Sequence, residues 1–184
     1  RQAGAEKVLV LEREDRVGGI LNQCLHDGFG LVHYRQALTG PEYAHRARQE
    51  ALVAGADLVT GAMVTKLTPQ RQLTAVTRQG LLTCQAGAVV LATGCRERTR
   101  GAIAIPGTRP AGIYTAGTAQ NLINTKNLMV GRRVVILGSG DIGLIMARRL
   151  TLEGAQVLCV AEQRPLPGGL ERNVSQCLYD FSIP

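Results

Sequence analysis

The amino-acid sequence predicts an α/β protein in which mostly parallel strands are covered by helices. Short apolar runs at 8–11 and 134–137 lack polar alternation, which is typical of strands buried on both faces. Glycine is abundant, at 22 residues, and glycines follow these runs where tight turns from strand to helix are expected. An apolar segment of helical length, 142–152, separates two of the predicted strands, as the α/β class requires.

The first half of the chain is expected to combine a parallel layer with a small antiparallel β-meander. Residues 8–11 form a predicted strand that ends at Glu12. A helix is predicted from Pro41, which suits a first helical turn, to about Ala54, with Gly55 after its end. The other strands of this half are predicted at 57–67, 73–76, 81–84 and 88–92, the last being a buried strand that returns to the main sheet.

The second half is predicted to follow the order strand, glycine-rich turn, helix and strand. A connector rich in Pro and Gly, 106–110, precedes it, so we place the domain boundary there and expect two domains, 1–108 and 109–184. The elements predicted after the connector are a helix at 115–124, a strand at 132–137, a helix at 142–152 and a strand at 156–161.

The chain carries a net charge of +7, which points to an anionic partner. Aromatic residues make up only 3%, so few side chains can stack on bases, and no Cys/His finger spacing is present. Nucleic-acid binding is therefore disfavoured, and it stays an alternative that salt-sensitive binding to DNA would reveal. Cofactors that carry a diphosphate are the preferred anionic partners.

The five cysteines lie far apart, in no CxxC pair and in no cluster with metal-ligand spacing. This pattern argues against a secreted disulfide scaffold and predicts no metal site. No apolar run is long enough to span a bilayer and no signal peptide is visible, so a cytoplasmic location is expected. The chain begins at Arg1 rather than Met and stops where an apolar segment starts, so we expect a fragment that lacks both ends.

The best local signal is a glycine loop between a predicted strand and a predicted helix, made of Gly138, Ser139, Gly140, Asp141, Ile142 and Gly143. Gly138 permits the turn out of the strand, Gly140 lets the backbone approach a diphosphate, and Gly143 lets the helix pack closely on the strand. The diphosphate then lies at the positive end of the helix, with Asp141 as an N-terminal acid. The loop predicts a dinucleotide site; a glycine-rich turn of another α/β fold is the alternative.

Glu162 stands at the end of the strand that follows this helix. A carboxylate at this place can accept hydrogen bonds from both hydroxyls of an adenosine ribose. It would repel a 2′-phosphate, so NAD(H) is favoured over NADP(H). Arg164 lies two residues further on and could weaken that preference.

These features resemble the two-dinucleotide-fold flavoproteins of the pyridine nucleotide-disulfide oxidoreductase superfamily. The stretches that carry the resemblance are 8–12, 16–24, 39–42, 91–100, 105–112, 134–146 and Glu162. They are similar above all to a branch akin to the flavoprotein subunits of sarcosine oxidase-type, opine and hydroxyproline dehydrogenases and of hydrogen cyanide synthase. The resemblance implies two Rossmann-like, three-layer units, with the β-meander in the FAD unit, 1–108, and a truncated NAD(P)H unit, 109–184.

The resemblance also implies which residues hold the cofactors. Glu12 would bind the FAD ribose, and the backbone of Val64 would meet the adenine. The other FAD positions are Gly18 and Gly19 along the diphosphate and ribityl chain, and Ala92, Thr93 and Gly94 over the phosphates. The glycine loop and Glu162 would hold NAD(H), or less readily NADP(H).

The chain departs from the disulfide-reducing members at their redox pair. Their Cys-x4-Cys places fall here at Leu21 and His26, and Cys24 matches neither, so thiol–disulfide exchange is not supported. Cys24 is expected to be a packing residue, with a redox role as the alternative. His26 either binds backbone within its loop or shuttles a proton near the flavin.

The resemblance implies an oxidoreductase that transfers hydride between NAD(P)H and FAD and passes electrons to an acceptor. One alternative is a dehydrogenase or oxidase subunit that oxidises a small amine, amino acid or hydroxy acid. A second alternative is a truncated nucleotide-binding module without catalysis. We expect the fragment alone to be inactive and the whole protein to form a homodimer or to join a partner subunit.

Overall fold

The structure, a computed structural model, describes residues 3–184. The chain divides into two compact units, unit 1 ending at Cys95 and unit 2 beginning at Arg96. Each unit contains a pair of parallel strands, and unit 1 also contains an antiparallel sheet. This confirms the mixed α/β class. Because each parallel sheet has two strands among the described residues, the three-layer Rossmann-like arrangement of both units stays a prediction.

Unit 1, over residues 3–95, contains one α-helix and five strands. They are β1 (Leu9–Leu11), α1 (Gly40–Val53), β2 (Asp57–Val59), β3 (Met63–Leu67), β4 (Gln72–Thr77) and β5 (Gly80–Gln85), with a short 3-10 helix at Gly19–Gln23. β1 pairs with β2 in parallel, and β3, β4 and β5 form an antiparallel meander. The strands predicted at 73–76 and 81–84 are therefore confirmed.

The single strand-like stretch predicted at 57–67 is wrong, because it forms two strands in two different sheets. Gly61 separates them with a left-handed backbone, φ 61°. Its amide and that of Ala62 donate to carbonyl groups of the loop after β1, at Glu14 and Glu12. These bonds turn the chain from the parallel pair into the meander.

The buried strand predicted at 88–92 is also wrong. This segment is extended chain in which no strand is assigned, and Val90 and Leu91 are largely exposed. A strand exists only where a neighbour accepts and donates its backbone hydrogen bonds. No strand of the described chain pairs with residues 88–92, so an apolar composition alone does not make this run a strand.

Helix α1 begins as its sequence predicts. The Thr39 hydroxyl accepts from the Glu42 amide, and the Glu42 carboxylate accepts from the Thr39 amide, so the two form a capping box. Pro41 lies in the first turn, where its missing N–H costs nothing. Gly40 packs against the 3-10 helix region, since a Cβ on it would lie 2.3 Å from the Leu21 carbonyl oxygen.

Unit 2 contains four helices and two strands among the described residues. They are α2 (Ala116–Lys126), β6 (Arg133–Leu137), α3 (Asp141–Leu152), β7 (Gln156–Ala161), α4 (Glu171–Cys177) and a 3-10 helix at Tyr179–Phe181. The first four confirm the elements predicted for this half. None of the helices of residues 3–184 has both the length and the apolarity needed to cross a membrane.

The core of unit 2 lies between α2, α3 and the sheet. Its buried side chains are Ala119, Ile123, Met146, Ala147, Leu150, Ala155 and Val157. A second cluster joins Leu144 of α3 to Val174 and Cys177 of α4. Helix α4 was not predicted, because its seven residues show no side-chain cap and depend on this packing against α3.

The segment 96–107 is part of compact unit 2, and the domain boundary predicted at 108 stays a prediction. The Glu97 carboxylate accepts from the Gly117 amide at 2.7 Å in the first turn of α2. The Arg100 guanidinium donates to the carbonyl oxygens of Pro106 and Gly107. The Glu97 bond ties the segment to α2, and the Arg100 bonds close a loop within the segment. The assignment of the two units to FAD and to NAD(P)H stays a prediction.

We expect Gly40→Ala to destabilise unit 1 by about 1 to 3 kcal/mol, because the added methyl group would overlap backbone oxygens that cannot move freely. Gly87→Ala is the matched control, since a Cβ there meets nothing within 4 Å. Urea unfolding followed by circular dichroism measures both free energies. Equal stability of the two variants would show that the contact is not tight.

Candidate functional site

The three glycines of the loop after β6 differ in backbone conformation and surroundings. Gly138 turns the chain with a left-handed backbone, φ 101°. A Cβ on Gly143 would lie 2.4 Å from the Gly138 carbonyl oxygen, so only glycine allows α3 to approach the strand end this closely. A Cβ on Gly140 would meet nothing within 4 Å, so the backbone here borders open space. The backbone at the start of α3 is therefore accessible at Gly140.

Helix α3 begins with amides that its own hydrogen-bond ladder does not use. Gly140 is its N-cap residue and provides no side-chain cap. The first helical hydrogen bond runs from the Leu144 amide to the Gly140 carbonyl, so the amides of Asp141, Ile142 and Gly143 precede the helical ladder. Such amides and the helix dipole together attract an anionic group.

The parallel pairing of β6 and β7 brings Glu162 to the loop. The Gly138 amide donates to the Ala161 carbonyl at 2.7 Å, which aligns the two strand ends. The Glu162 Oε2 atom accepts from the Ser139 amide at 3.0 Å and from the Ser139 hydroxyl at 2.5 Å. Its Oε1 atom accepts from the amides of Gln163 and Arg164. The acid predicted from the sequence thus lies directly against the glycine loop.

These hydrogen bonds keep the carboxyl group ionised. Donation by the Ser139 hydroxyl, then by the Ser139 and Arg164 amides, lowers the pKa of Glu162 from 4.5 to about 2. The carboxylate is solvent-exposed as well as hydrogen-bonded. A negative charge therefore stands beside the glycine loop at neutral pH.

Asp141 has partners that the sequence did not reveal. It lies in the first turn of α3, as predicted, and its Oδ1 atom also accepts from the Leu170 amide at 2.7 Å and from Asn173 Nδ2 at 2.8 Å. These bonds, the Leu170 amide first, lower the pKa of Asp141. No local motif joins residues 29 and 32 positions apart, so only the fold could pair them.

The segment between β7 and α4, residues 163–170, closes over the loop; we call it the strap. The Gly168 amide donates to the Ser139 hydroxyl oxygen at 2.8 Å. Gly169 packs so closely that a Cβ on it would lie 2.5 Å from a methyl carbon of Leu144. Together with Leu170 on Asp141, these contacts hold the strap against one side of the glycine loop.

Unit 1 repeats the acidic turn at the end of a parallel strand. The Glu12 carboxylate accepts from the Glu14 amide at 2.9 Å, two residues on, as Glu162 does from Arg164. Gly18 has a left-handed backbone, φ 112°, and its α-carbon faces Ala44 of α1, where a Cβ would come within 2.7 Å.

A cleft of about 450 Å³ lies between α1 and the loop after β1. Its lining includes the cationic side chains of Arg16 and Arg48 and the imidazole of His45. The acid in its lining, Asp15, forms an ion pair with Arg78. The cleft is therefore electropositive, and Ala44, the residue that Gly18 approaches, forms part of its wall.

The other positions predicted to meet FAD lie in different segments of unit 1. Gly19 has an open, left-handed backbone, and Val64 lies in β3 paired with Ala75. The remaining three, Ala92, Thr93 and Gly94, lie in an exposed segment outside the helices and strands, and Gly94 has a left-handed backbone, φ 67°. Their predicted role over the FAD phosphates stays a prediction.

Cys24 and His26, the weak catalytic candidates, have local partners. Burial raises the pKa of the Cys24 thiol, which disfavours the reactive thiolate. The Cys24 carbonyl accepts from the Gly40 amide. A Cβ added to Gly40 would lie 2.8 Å from the Cys24 Cβ, so the Cys24 side chain packs closely on the start of α1, as expected for a packing residue. His26 Nδ1 lies 3.0 Å from the Asp27 carbonyl oxygen, which is the geometry of a loop histidine bound to backbone.

Comparison with known proteins is consistent with this geometry. Residues 1–181 match the family model described as pyridine nucleotide-disulphide oxidoreductase. The chain belongs to this family. The family is one of flavin-dependent oxidoreductases, and the resemblance inferred from the sequence is confirmed.

The relatives of the chain are considerably longer. It is 28% identical over 188 aligned positions to an opine oxidase subunit of Agrobacterium tumefaciens (strain Ach5), covering 96% of this chain and 36% of that protein. Its fold is similar to that of L-proline dehydrogenase from P. horikoshii, with a TM-score of 0.57 and 17% identity. The match covers 88% of this chain and 32% of that protein. Its fold is also similar to that of thioredoxin reductase from Lactococcus lactis, with a TM-score of 0.52 and 17% identity. The match covers 92% of this chain and 52% of that protein. The chain thus spans about a third to a half of these proteins.

We expect the stabilisation contributed by Glu162 to depend on pH in one direction. Because its folded pKa is depressed to about 2, the contribution is complete above about 4.5 and is lost as the pH falls through 2. Urea unfolding of the native chain and of Glu162→Gln from pH 7 downward should give a free-energy difference that is constant to about pH 5 and then shrinks. A difference that grows on acidification would contradict the hydrogen-bonded carboxylate.

Proposed function

We propose that the chain is part of an FAD-dependent oxidoreductase whose unit 2 binds NAD(H). The observation that carries this proposal is the contact of the Glu162 carboxylate with Ser139, beside a Gly140 backbone that borders open space. An adenosine ribose needs an acceptor and a diphosphate needs uncapped amides. Both lie at the same end of the parallel pair in unit 2.

The charge at Glu162 supports NAD(H) over NADP(H). The carboxylate is fully ionised at neutral pH, and a 2′-phosphate placed beside it would meet like charge. Arg164 is exposed next to this acid and is the residue that could offset the repulsion. We therefore propose NAD(H) as the preferred nucleotide.

Unit 1 is proposed to hold the FAD. The acidic turn at Glu12 matches that at Glu162, which supports the same ribose-binding role at a second strand end. The electropositive cleft beside Gly18 is compatible with a neighbouring diphosphate. On this proposal both units are Rossmann-like, and the domains are 1–108 and 109–184. Bound together, the two cofactors supply hydride transfer between nicotinamide and flavin.

In this proposal the protein positions cofactors rather than performing proton chemistry. The residues named here bind and orient the ribose and the diphosphate. The strap shields one side of the glycine loop. The activity belongs to the whole protein, since these 184 residues span only 36% of the opine oxidase relative, and we expect them alone to be inactive.

A second candidate function is oxidation of a small amine, amino acid or hydroxy acid by the flavin. The opine oxidase and L-proline dehydrogenase relatives, by their names, act on substrates of this kind. The opine oxidase relative is by name one subunit of its enzyme, so this second candidate function includes a partner subunit. A nucleotide-binding module without catalysis is the remaining alternative.

We expect Gly140→Ala to weaken NADH binding about tenfold or more, because the methyl group would project into the open space where the diphosphate is proposed to lie. Gly131→Ala is the control, since its Cβ would meet only ordinary contacts at 3.8 Å and beyond. Titration with NADH fluorescence measures both dissociation constants. Unchanged binding in Gly140→Ala, or no NADH binding by the unaltered protein, would overturn the proposed site.

We expect the flavin of the full-length protein to be bleached by NADH under anaerobic rapid mixing, because unit 2 presents an NAD(H)-type site. Proline, an opine and a hydroxy acid are the comparison donors. Bleaching by one of these alone favours the second candidate function. A full-length protein that binds nucleotide but purifies without flavin would leave only the binding module.

A further inference from the structure

The Ser139 side chain is buried inside the proposed nucleotide site. Only 2% of Ser139 is exposed, although it lies in a loop next to open space. Its hydroxyl donates to Glu162 Oε2 and accepts from the Gly168 amide. One hydroxyl therefore links the end of β7, the glycine loop and the strap.

The acceptor capacity of Glu162 is already filled. A carboxylate offers about four acceptor directions, and four donors occupy them here. Three are backbone amides, of Ser139, Gln163 and Arg164, whose positions follow from the loop and the turn. The fourth is the Ser139 hydroxyl, which can leave by a rotation of one side-chain bond.

The strap is held by the same hydroxyl. Gly168 donates to Ser139, whereas the far end of the strap is held separately, by Leu170 and Asn173 on Asp141. Release of the Ser139 hydroxyl frees the Gly168 amide and leaves the Asp141 anchor intact. The part of the strap before Gly169 can then move, while the packing of Gly169 on Leu144 and the Asp141 anchor stay in place.

We propose that the Ser139 hydroxyl occupies the place on Glu162 that a ribose hydroxyl takes, and so competes with the nucleotide while holding the strap closed. The inference rests on the proposed function of this site. A ribose hydroxyl that displaces Ser139 replaces one charge-assisted hydrogen bond by another of the same kind. The serine thereby lowers nucleotide affinity and couples binding to release of the strap at Gly168.

The test compares Ser139→Ala with the native 184-residue chain, using ADP and 2′,3′-dideoxy-ADP as probes. Ser175→Ala is the control, since Ser175 is an exposed serine of α4. Backbone amide NMR signals of Gly140 and Gly168 report binding at this site alone, and thermal unfolding shows that each variant is folded. We expect Ser139→Ala to bind ADP about three- to tenfold more tightly, and dideoxy-ADP no more tightly than before.

The outcomes separate this inference from the proposed function. ADP binding by the native chain, with no gain or a loss in Ser139→Ala, overturns the competition. An equal gain for both nucleotides overturns it as well, because loosening of the loop would then be the cause. If neither ADP nor NADH shifts the Gly140 signal in any of the three proteins, the proposed nucleotide site itself fails.

Discussion

The contact between the Glu162 carboxylate and Ser139 is the interaction on which the site in unit 2 depends. It joins the end of β7 to the turn that leaves β6, across 23 residues of sequence. The carboxylate satisfies a backbone amide of the glycine loop and two amides of its own turn. A neutral side chain would offer these donors fewer and weaker acceptor positions, so the shape of the loop and the charge beside it have one cause.

Packing of the core against α3 also determines the shape of the glycine loop. Leu144 and the buried side chains of α3 press the helix against the sheet, and Gly143 permits this approach at the Gly138 carbonyl. The strap and α4 then cover Leu144 from the other side. Packing thus holds the first turn of α3 in place beside the open space at Gly140.

The sequence predicted those features that depend on neighbouring residues. The helix start near Pro41 and the turn at Gly138 are examples, as are the strands of the meander. It failed at 88–92, where an apolar run has no paired strand, and at α4, whose short helix depends on Leu144. It also missed Asn173 and Leu170 as partners of Asp141. Each failure concerns a partner distant in the chain.

The sequence by itself determined the family, the glycine loop and the acids that end two parallel strands, because these are local patterns of residue type and spacing. The tertiary structure decided what those acids touch. Glu162 meets the Ser139 hydroxyl only because β6 and β7 pair in parallel. The strap closes on Ser139 only because α4 packs on α3. Hydrogen bonds between distant residues follow from pairing and packing, which no single stretch of sequence encodes.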